Sequence, residues 1–341
     1  FTSSTNTITA AAWASGGALP AARSFLGDAG TQTAALGFGG SPTTATSYSY
    51  DGSNWTATPS LNTPRTQLSG AGTQTAALGF GSPNTTESWN GSSWTSVNSL
   101  NTARKGGAGS GTQPAALYFG GQLDSSPFAS LDATEEWDGT NWTAGGALSQ
   151  GRLGLAGFGI QTATLAAAGQ AYPSPGTQSI VESYNGSAWS NETALPSARA
   201  GGGSLGVESA NLRFGGTDVP VETGVTTVLE YDGSAWTTAP NANTKRRTTS
   251  CGGSGTTTAA LIYGGGSSPS VPSNFSSESF DGTSFVTDAS LANIGNCRGA
   301  KMAPSTTGVA AFGTTSSTNY TEEYDSGSPD TARPAQSLTT S

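Results

Sequence analysis

The stretch "TEEWDGTNW", residues 134–142, decides between two interpretations of this chain. It places Glu135, Glu136 and Asp138 beside two tryptophans. Paired acids next to an aromatic platform fit a glycoside hydrolase, but the same letters also fit a structural repeat. Because a catalytic pair is unique in a chain and a repeat is not, the recurrence of this stretch is the first test.

The stretch recurs along the whole chain. Related copies are "TSYSYDGSNW" at 46, "TESWNGSSW" at 86, "VESYNGSAW" at 181, "LEYDGSAW" at 229, "SESFDGTSF" at 277 and a degenerate "TEEYDSGSP" at 321. Each follows an apolar element ended by small residues, such as "TAALGFGG" at 33 and "PAALYFGG" at 114. Equivalent positions in that element are 39 to 49 residues apart: Phe38, Phe80, Phe119, Ala167, Phe214, Tyr263 and Phe312. A period of this size is typical of repeat architectures.

Each unit predicts four short strands. Asn-Gly or Asp-Gly between the third and fourth is a strong hairpin signal, and it predicts a type I′ turn with positive φ at both residues. A loop with an even number of residues keeps the alternation of faces, so Glu87, Trp89 and Trp94 should share one face. Seven such units cannot bury their faces singly but can do so radially. The sequence therefore predicts an all-β fold, a seven-bladed β-propeller of four-stranded blades.

The two ends of the chain predict how the ring closes. The last copy has Tyr324 but no tryptophan after it, whereas Trp13 lies in an N-terminal segment that has no unit of its own. We expect segment 7–14 to supply the outer strand of the last blade, which would remove an open edge. Residues 1–328 then form a single domain, and 329–341 form a polar tail. Because the chain opens on Phe1 with no leader, we expect a processed form or an excised domain.

Composition excludes several functions. Histidine is absent, which removes the commonest general base and metal ligand. We therefore expect no catalytic residues, no metal and no cofactor. A net charge of −9 makes nucleic acid an unsuitable partner, and no apolar run is long enough to span a membrane.

The order of residues in each unit resembles the kelch repeat. Its double glycine, tyrosine and tryptophan correspond to Gly39, Gly40, Tyr50 and Trp55. The Asp-Gly turn is tighter than the usual kelch connection, and some copies lose part of the double glycine. The form of the repeat in this chain, with "GTQTAALGFGG" and "EEWDGTNW", is also similar to that of repeat proteins of tailed bacteriophages, especially marine ones. These resemblances imply a propeller and a virion component rather than an enzyme.

Arginines recur before each unit, usually 15 residues ahead of the position of Phe38: Arg23, Arg65, Arg104, Arg152 and Arg199. The last two copies carry Thr248 and Cys297 there, each beside an arginine. A buried glutamate on an aromatic face needs a charged partner. More copies offer that partner between successive units than within one. We therefore predict an inter-blade ladder: Glu87–Arg104, Glu135–Arg152, Glu182–Arg199 and Glu322–Arg23. The alternative is a set of solvated surface pairs.

Cys251 and Cys297 lie on the first strands of adjacent units, at positions that face opposite ways. They form either a disulfide, which would suit an extracellular or virion setting, or two buried free thiols. Thiol titration of the unfolded, unreduced chain distinguishes the two.

The loops between the second and third strands predict a binding surface. Blade 2 has only "SPNTT", whereas blades 3 to 6 carry loops of about twice that length, contiguous around the ring. We call these four loops the crescent: residues 122–133, 170–180, 217–226 and 267–277. Phe128, Tyr172 and Phe275 lie in it near prolines, and rigid aromatics are favoured binding anchors. The alternative is neutral insertion on a tolerant scaffold.

The sequence therefore predicts a non-enzymatic structural or adhesive module. We expect a virion protein, such as a phage fibre, spike or decoration protein, or a cell-surface protein, located on the virion or extracellular surface. Its partners would be other virion or surface proteins, or a host surface glycan. A carbohydrate-binding lectin is the alternative, and a glycan hydrolase without a located site is the third. The equivalents of Glu135 in other copies disfavour a unique catalytic pair: Glu87, Glu182, Glu278 and Glu322.

Overall fold

The computed structural model describes residues 12–325, apart from 22, 24, 32, 125–127, 174–175, 208, 218–223, 267–274, 293–296, 300–306 and 314–320. The strands of the first half are β1 Ala12–Gly16, β2 Gly27–Thr31, β3 Ala34–Phe38, β4 Ser47–Tyr50, β5 Trp55–Thr58, β6 Ser69–Gly72, β7 Ala77–Phe80, β8 Thr86–Trp89, β9 Trp94–Val97, β10 Arg104–Lys105, β11 Ala108–Gly111, β12 Ala116–Phe119, β13 Gln122–Leu123, β14 Thr134–Trp137, β15 Trp142–Ala144 and β16 Ala156–Ile160. Those of the second half are β17 Ala163–Ala167, β18 Gln170–Ala171, β19 Gly176–Thr177, β20 Val181–Tyr184, β21 Trp189–Asn191, β22 Gly203–Val207, β23 Ala210–Phe214, β24 Val228–Tyr231, β25 Trp236–Ala239, β26 Arg247–Thr256, β27 Ala259–Gly266, β28 Ser277–Phe280, β29 Phe285–Thr287, β30 Cys297–Gly299, β31 Thr307–Gly313 and β32 Thr321–Asp325.

Six blades are four-stranded antiparallel sheets, each made by one unit of the repeat. In chain order they are β2–β5, β6–β9, β11-β12-β14-β15, β16-β17-β20-β21, β22–β25 and β26–β29, numbered blades 1 to 6. The inner strands of successive blades contact one another, as in a ring. The predicted β-propeller of four-stranded blades is therefore confirmed.

The remaining four-stranded sheet is composite. Its order is β1-β32-β31-β30, and Ala12–Gly16 pairs antiparallel with Thr321–Asp325. Each of the six other sheets is built from one stretch of the chain, so the structure shows six such blades where the sequence predicted seven. Residues 7–11 of the predicted closing segment lie outside the described residues.

The blades pack through aromatic side chains and close backbone contacts. Rings from neighbouring blades meet at Phe38–Trp94, with centroids 4.8 Å apart, and at Phe80–Trp142, with centroids 5.2 Å apart. Gly79 must remain small, because a Cβ there would lie 2.9 Å from the ring of Phe38. A small residue such as Gly79 on the second strand thus admits a large ring of the adjacent blade, at the density that protein interiors require.

The hairpin turns confirm the predicted register but correct the predicted turn type. Trp89 pairs with Trp94, and their ring centroids are 5.4 Å apart on one face. In the turn between them Gly91 has φ +91, but Asn90 is not among the described residues with positive φ. Instead, the Asn90 side-chain oxygen accepts the N–H groups of Ser92 and Ser93, both at 2.9 Å. The type I′ prediction was wrong because the side chain itself closes a four-residue loop as an Asx turn.

Candidate functional site

The glutamate that opens the question is buried in an ion pair. Glu135 is 2% exposed, and its Oε1 lies 3.0 Å from the Arg104 guanidinium. The same carboxylate accepts the backbone N–H groups of Asn101 at 2.6 Å and Thr102 at 3.2 Å. Burial lowers the pKa of Arg104, and the attraction of Glu135 opposes that shift. Glu135 therefore bonds the connection between blades 2 and 3 to blade 3.

The other two carboxylates of the stretch also have partners within the fold. Glu136 accepts a hydrogen bond from the Tyr184 hydroxyl of the next blade. Burial raises the pKa of Tyr184, and the bond to Glu136 adds to that rise. Asp138 accepts the N–H groups of Thr140 at 2.7 Å and Asn141 at 2.6 Å, which lowers its pKa. The cluster thus serves blade packing and turn formation.

The arginine–glutamate pairs exist, but the predicted pairing was wrong. The observed pairs are Arg65–Glu87 at 3.0 Å, Arg104–Glu135 at 3.0 Å, Arg152–Glu182 and Arg246–Glu278 at 2.9 Å. The predicted pairs Glu87–Arg104, Glu135–Arg152 and Glu182–Arg199 are each displaced by one repeat. The reason is that each arginine lies on the connection entering a blade, and its side chain reaches forward into that blade.

The fourth predicted pair, Glu322–Arg23, is also replaced by other contacts. The Arg23 guanidinium lies 5.7 Å from the centre of the Tyr48 ring, which occupies the glutamate position of blade 1. Glu322 accepts the backbone N–H of Ala292 at 2.7 Å, as its equivalents accept the N–H groups of their own connections.

The arginines nevertheless join successive blades, because the backbone of each arginine bonds to one blade and its side chain bonds to the next. The N–H of Arg65 donates to the Thr44 carbonyl of blade 1 at 3.0 Å. Its guanidinium donates to the Thr85 carbonyl of blade 2 at 2.7 Å and to Glu87. The observed ion pairs are therefore the ones within a unit, and the predicted Arg–Glu ladder between blades was wrong. The backbone of the arginine, not its ion pair, makes the bond to the preceding blade.

Two blades show how the pattern varies. In blade 5 Leu229 replaces the glutamate, and Arg199 donates to the carbonyls of Gly215 at 3.3 Å and Thr227 at 3.2 Å. In blade 6 the arginine is Arg246, not a residue beside Thr248. A register shift between Arg247 and Cys251 absorbs the extra residues, which sequence spacing could not reveal.

The predicted binding aromatics lie on the surface of the crescent. Phe128 is 46% exposed, Tyr172 is 50% exposed and Phe275 is 39% exposed. Large apolar side chains with this exposure are informative where several belong to one set of loops. Exposure is equally expected of neutral insertions, so the bonds that fix these loops in place distinguish the two interpretations.

The loops that carry Phe128 and Tyr172 are bonded to each other. The N–H of Tyr172 donates to the Ser130 hydroxyl at 2.8 Å, and the N–H of Ser130 donates to the Tyr172 carbonyl at 3.1 Å. Lys105 pairs with Asp124 at 2.8 Å and lies 5.7 Å from the centre of the Phe128 ring. The structure therefore brings two of the three predicted anchors onto one linked surface. Phe275 belongs to the loop of blade 6, of which residues 267–274 lie outside the described part.

The cysteine prediction lies outside what the structure describes. Cys251 is in β26 and Cys297 is in β30, but their side chains are not among the described ones. A disulfide and two free thiols both remain predictions.

Sequence reasoning missed a set of glutamines that also join blades. Gln74, Gln113 and Gln161 each lie in the turn between the first two strands and donate to backbone carbonyls of the preceding blade. The Gln113 amide, for example, donates to the Trp89 carbonyl at 2.6 Å and to the Ser88 hydroxyl at 2.9 Å. The signal is the recurrence of glutamine at one place in the repeat, in "GTQ" at 72–74 and 111–113 and in "GIQ" at 159–161.

Comparison with known proteins supports the fold alone. No family model matches the chain, and no curated protein matches it. Among solved structures, "Structure of YjhT" matches with a TM-score of 0.60 and 15% identity, covering 80% of this chain and 99% of that one. At this identity the likeness shows a β-propeller and carries no activity. Within the described residues there is no group of three metal-binding side chains, and no helix there could cross a bilayer.

Proposed function

We propose that this protein is a non-enzymatic structural or adhesive module that binds a partner protein or a surface glycan through the crescent. The observation that carries the proposal is the pairing of exposed Phe128 and Tyr172 on loops bonded through Ser130. Anchored aromatics lose little conformational entropy on binding, so they favour recognition. The carboxylates that would serve a hydrolase are occupied in packing, which favours binding over catalysis.

The setting we propose is a virion or extracellular surface, with a kelch-like repeat of the kind carried by tailed phages. Support comes from the sequence of the repeat and from the low content of charged residues, 10% of the chain. The measurement is mass spectrometry of purified particles. Co-purification with capsid and tail proteins supports the virion setting, and a protein found only free of particles contradicts it.

We further propose that the composite sheet is a seventh blade that closes the ring. In blades 3 and 4 the outer-strand tryptophan donates to a threonine of the preceding blade: Trp142 to Thr86 and Trp189 to Thr134, both at 2.8 Å. The composite sheet repeats this contact in both directions. Trp55 of blade 1 donates to Thr321 at 2.8 Å, and Trp13 donates to Ser277 of blade 6 at 2.9 Å.

Deletion tests this closure. Removing residues 1–16 should lower the melting temperature markedly, because it removes β1 and the Trp13 contacts with Tyr263 and Tyr324. Removing residues 329–341 is the control and should leave stability unchanged. Equal stability of the two deletion proteins would contradict the closure.

The binding proposal is tested by trimming. The four crescent loops are shortened to the length of residues 82–86, and attachment to purified particles and to a glycan array is compared with the full chain. We expect attachment to be lost while the melting temperature changes little. Phe128→Ser with Tyr172→Ser is a milder variant, and Val286→Ser on the outer strand of blade 6, 57% exposed, is its control. Attachment that survives trimming would contradict the crescent as the site.

The lectin alternative differs in its ligand. A glycan-array signal lost on trimming, without co-purifying particle proteins, would favour it over the virion module.

A further inference from the structure

A cavity lies at the axis of the ring, where the inner strands begin. Its volume is about 380 Å³, at the lower end of the roughly 300–1,000 Å³ that small-molecule sites occupy. Residues of blades 1 to 6 line it, and nine of the 21 lining residues are glycine. This site is separate from the crescent residues named above.

One wall position has the same backbone conformation in five blades. It lies two residues after each inter-blade arginine, and φ is positive at all five: Phe25, Gln67, Gly106, Gly154 and Gly201. Glycine adopts this left-handed region freely, and three blades use it. Phe25 at φ +55 and Gln67 at φ +58 are strained there, because a Cβ crowds the backbone.

The backbone bond at this position does not depend on these two side chains. The Gln67 N–H donates to the Phe25 carbonyl at 3.0 Å, and the Gly154 N–H donates to the Gly106 carbonyl at 3.1 Å. The same backbone bond therefore forms whether or not a side chain is present. Strained backbone at a position where glycine makes the same bond is typical of functional sites, where the strain is kept for the side chain that it presents.

The two strained residues belong to the polar sector of the cavity. Asp28 and Ser69 line the wall beside Phe25 and Gln67, whereas Gly106, Gly154 and Gly201 stand at the equivalent place in blades 3 to 5. Ser204 and Arg213 of blade 5 also line the cavity. Phe25 is half-buried, and Gln67 and Asp28 are exposed. The sector thus combines an aromatic ring, an amide, a hydroxyl and a carboxylate, which together can both donate and accept hydrogen bonds.

We propose that this sector, formed by blades 1 and 2, binds one ring of a neutral polyhydroxylated ligand, such as a monosaccharide unit. The aromatic ring would cover the apolar face of the sugar, and the polar groups would bond its hydroxyls. The Asp28 carboxylate and the net charge of −9 disfavour an anionic ligand in this sector, since the lining cation Arg213 belongs to blade 5. The ligand class rests on the proposed glycan-binding function, but the location does not.

The test uses free neutral monosaccharides (glucose, galactose, mannose and N-acetylglucosamine) with saturation-transfer NMR and calorimetry on the full chain. Phe25→Gly with Gln67→Gly should weaken binding at least tenfold and raise the melting temperature, because both positions then carry the residue that blades 3 to 5 use. Asp28→Asn, which keeps the shape, should weaken binding without that rise. Val286→Ala is the control and should change neither.

The outcomes separate this site from the crescent. Sugar binding that persists in the crescent-trimmed protein but is lost in the double-glycine variant supports the proposal. No binding by the full chain, or equal binding by the double-glycine variant, overturns it while leaving crescent attachment to its own test. Binding of glucosamine but of no neutral sugar overturns the ligand class.

Discussion

Arg104 and Glu135 hold three parts of the chain together. The Arg104 N–H donates to the Pro83 carbonyl of blade 2 at 2.7 Å, and its guanidinium lies 3.0 Å from Glu135 of blade 3. Glu135 in turn accepts two N–H groups from the connection between those blades. Removing either charge would leave the other buried without its partner. The loss of stability on breaking the pair should therefore exceed the net stability that the intact pair contributes.

The first prediction concerns which arginine belongs to Glu182. Glu182→Gln should destabilise the protein by about 3–5 kcal/mol, because it leaves Arg152 buried without its charged partner. A double-mutant cycle by chemical unfolding should give a coupling of about 1–3 kcal/mol between positions 182 and 152. The matched cycle with Arg199 should give almost none, because Arg199 bonds carbonyls of blade 5. Strong coupling to Arg199 instead would restore the ladder predicted from the sequence.

The second prediction concerns a missing hydroxyl. Trp236 lies where Trp142 and Trp189 donate to threonine in blades 3 and 4. Val181 occupies the threonine place, and the indole N–H of Trp236 is buried without a hydrogen-bond partner. Val181→Thr should stabilise the protein by about 1 kcal/mol, because it supplies an acceptor at nearly the same volume. The measurement is the free energy of unfolding in urea.

A matched control exists in the next blade. Val228 occupies the equivalent place and packs in the same cluster as Phe285, which has no N–H to donate. Val228→Thr should therefore destabilise by about 1–3 kcal/mol. Stabilisation by both substitutions would show that the acceptor is not the cause.

The third prediction is a pH dependence at the turns. Bonds from Thr283 and Ser284 lower the pKa of Asp281 to about 2. Since the folded pKa is below the unfolded value, the turn's contribution is complete above about pH 4 and is lost as pH falls towards 2. NMR titration of the Asp281 carboxyl measures the pKa directly.

The chain supplies the control for that titration. Asn90 and Asn185 make the same turn bonds without a charge. Asp281→Asn should therefore remove this part of the acid sensitivity, and Asn90→Asp should add a similar part in blade 2. An Asp281 pKa at its ordinary value would contradict the role of the turn bonds.

The fourth prediction concerns the glutamines between blades. Gln113→Ala should destabilise by about 1–3 kcal/mol, because carbonyl oxygens of blade 2 lose their donor. Gln113→Glu should cost more, since it turns a carboxylate towards those oxygens. Thr257→Ala, at the equivalent half-buried place in blade 6, is the control and should have little effect. Thermal unfolding that ranks the three variants otherwise would contradict the role of Gln113.

The sequence by itself determined the repeat, the four-stranded blade and the shared face of the aromatics. These properties follow from local rules: strand alternation, a turn with an even number of residues, and apolar runs ended by glycine. The pairing of Trp89 with Trp94 and the exposure of Phe128 and Tyr172 could be predicted for this reason. The pairing depends on residues close together in the chain. The exposure follows because no other part of the described fold covers these side chains.

Tertiary structure decided which blade each connecting side chain enters. Arg104 is compatible in sequence with Glu87 or Glu135, and only the path of its connection over blade 2 turns the guanidinium towards blade 3. The bulge that brings Arg246 to Glu278 likewise has no local signature, because a two-residue insertion can be absorbed at several places in a strand. The positive φ of Phe25 and Gln67 is a property of the folded backbone. Its equivalence to the φ of the glycines in blades 3 to 5 is visible only when the five blades are compared. These relationships join residues far apart in the chain, and their geometry is set when the blades pack.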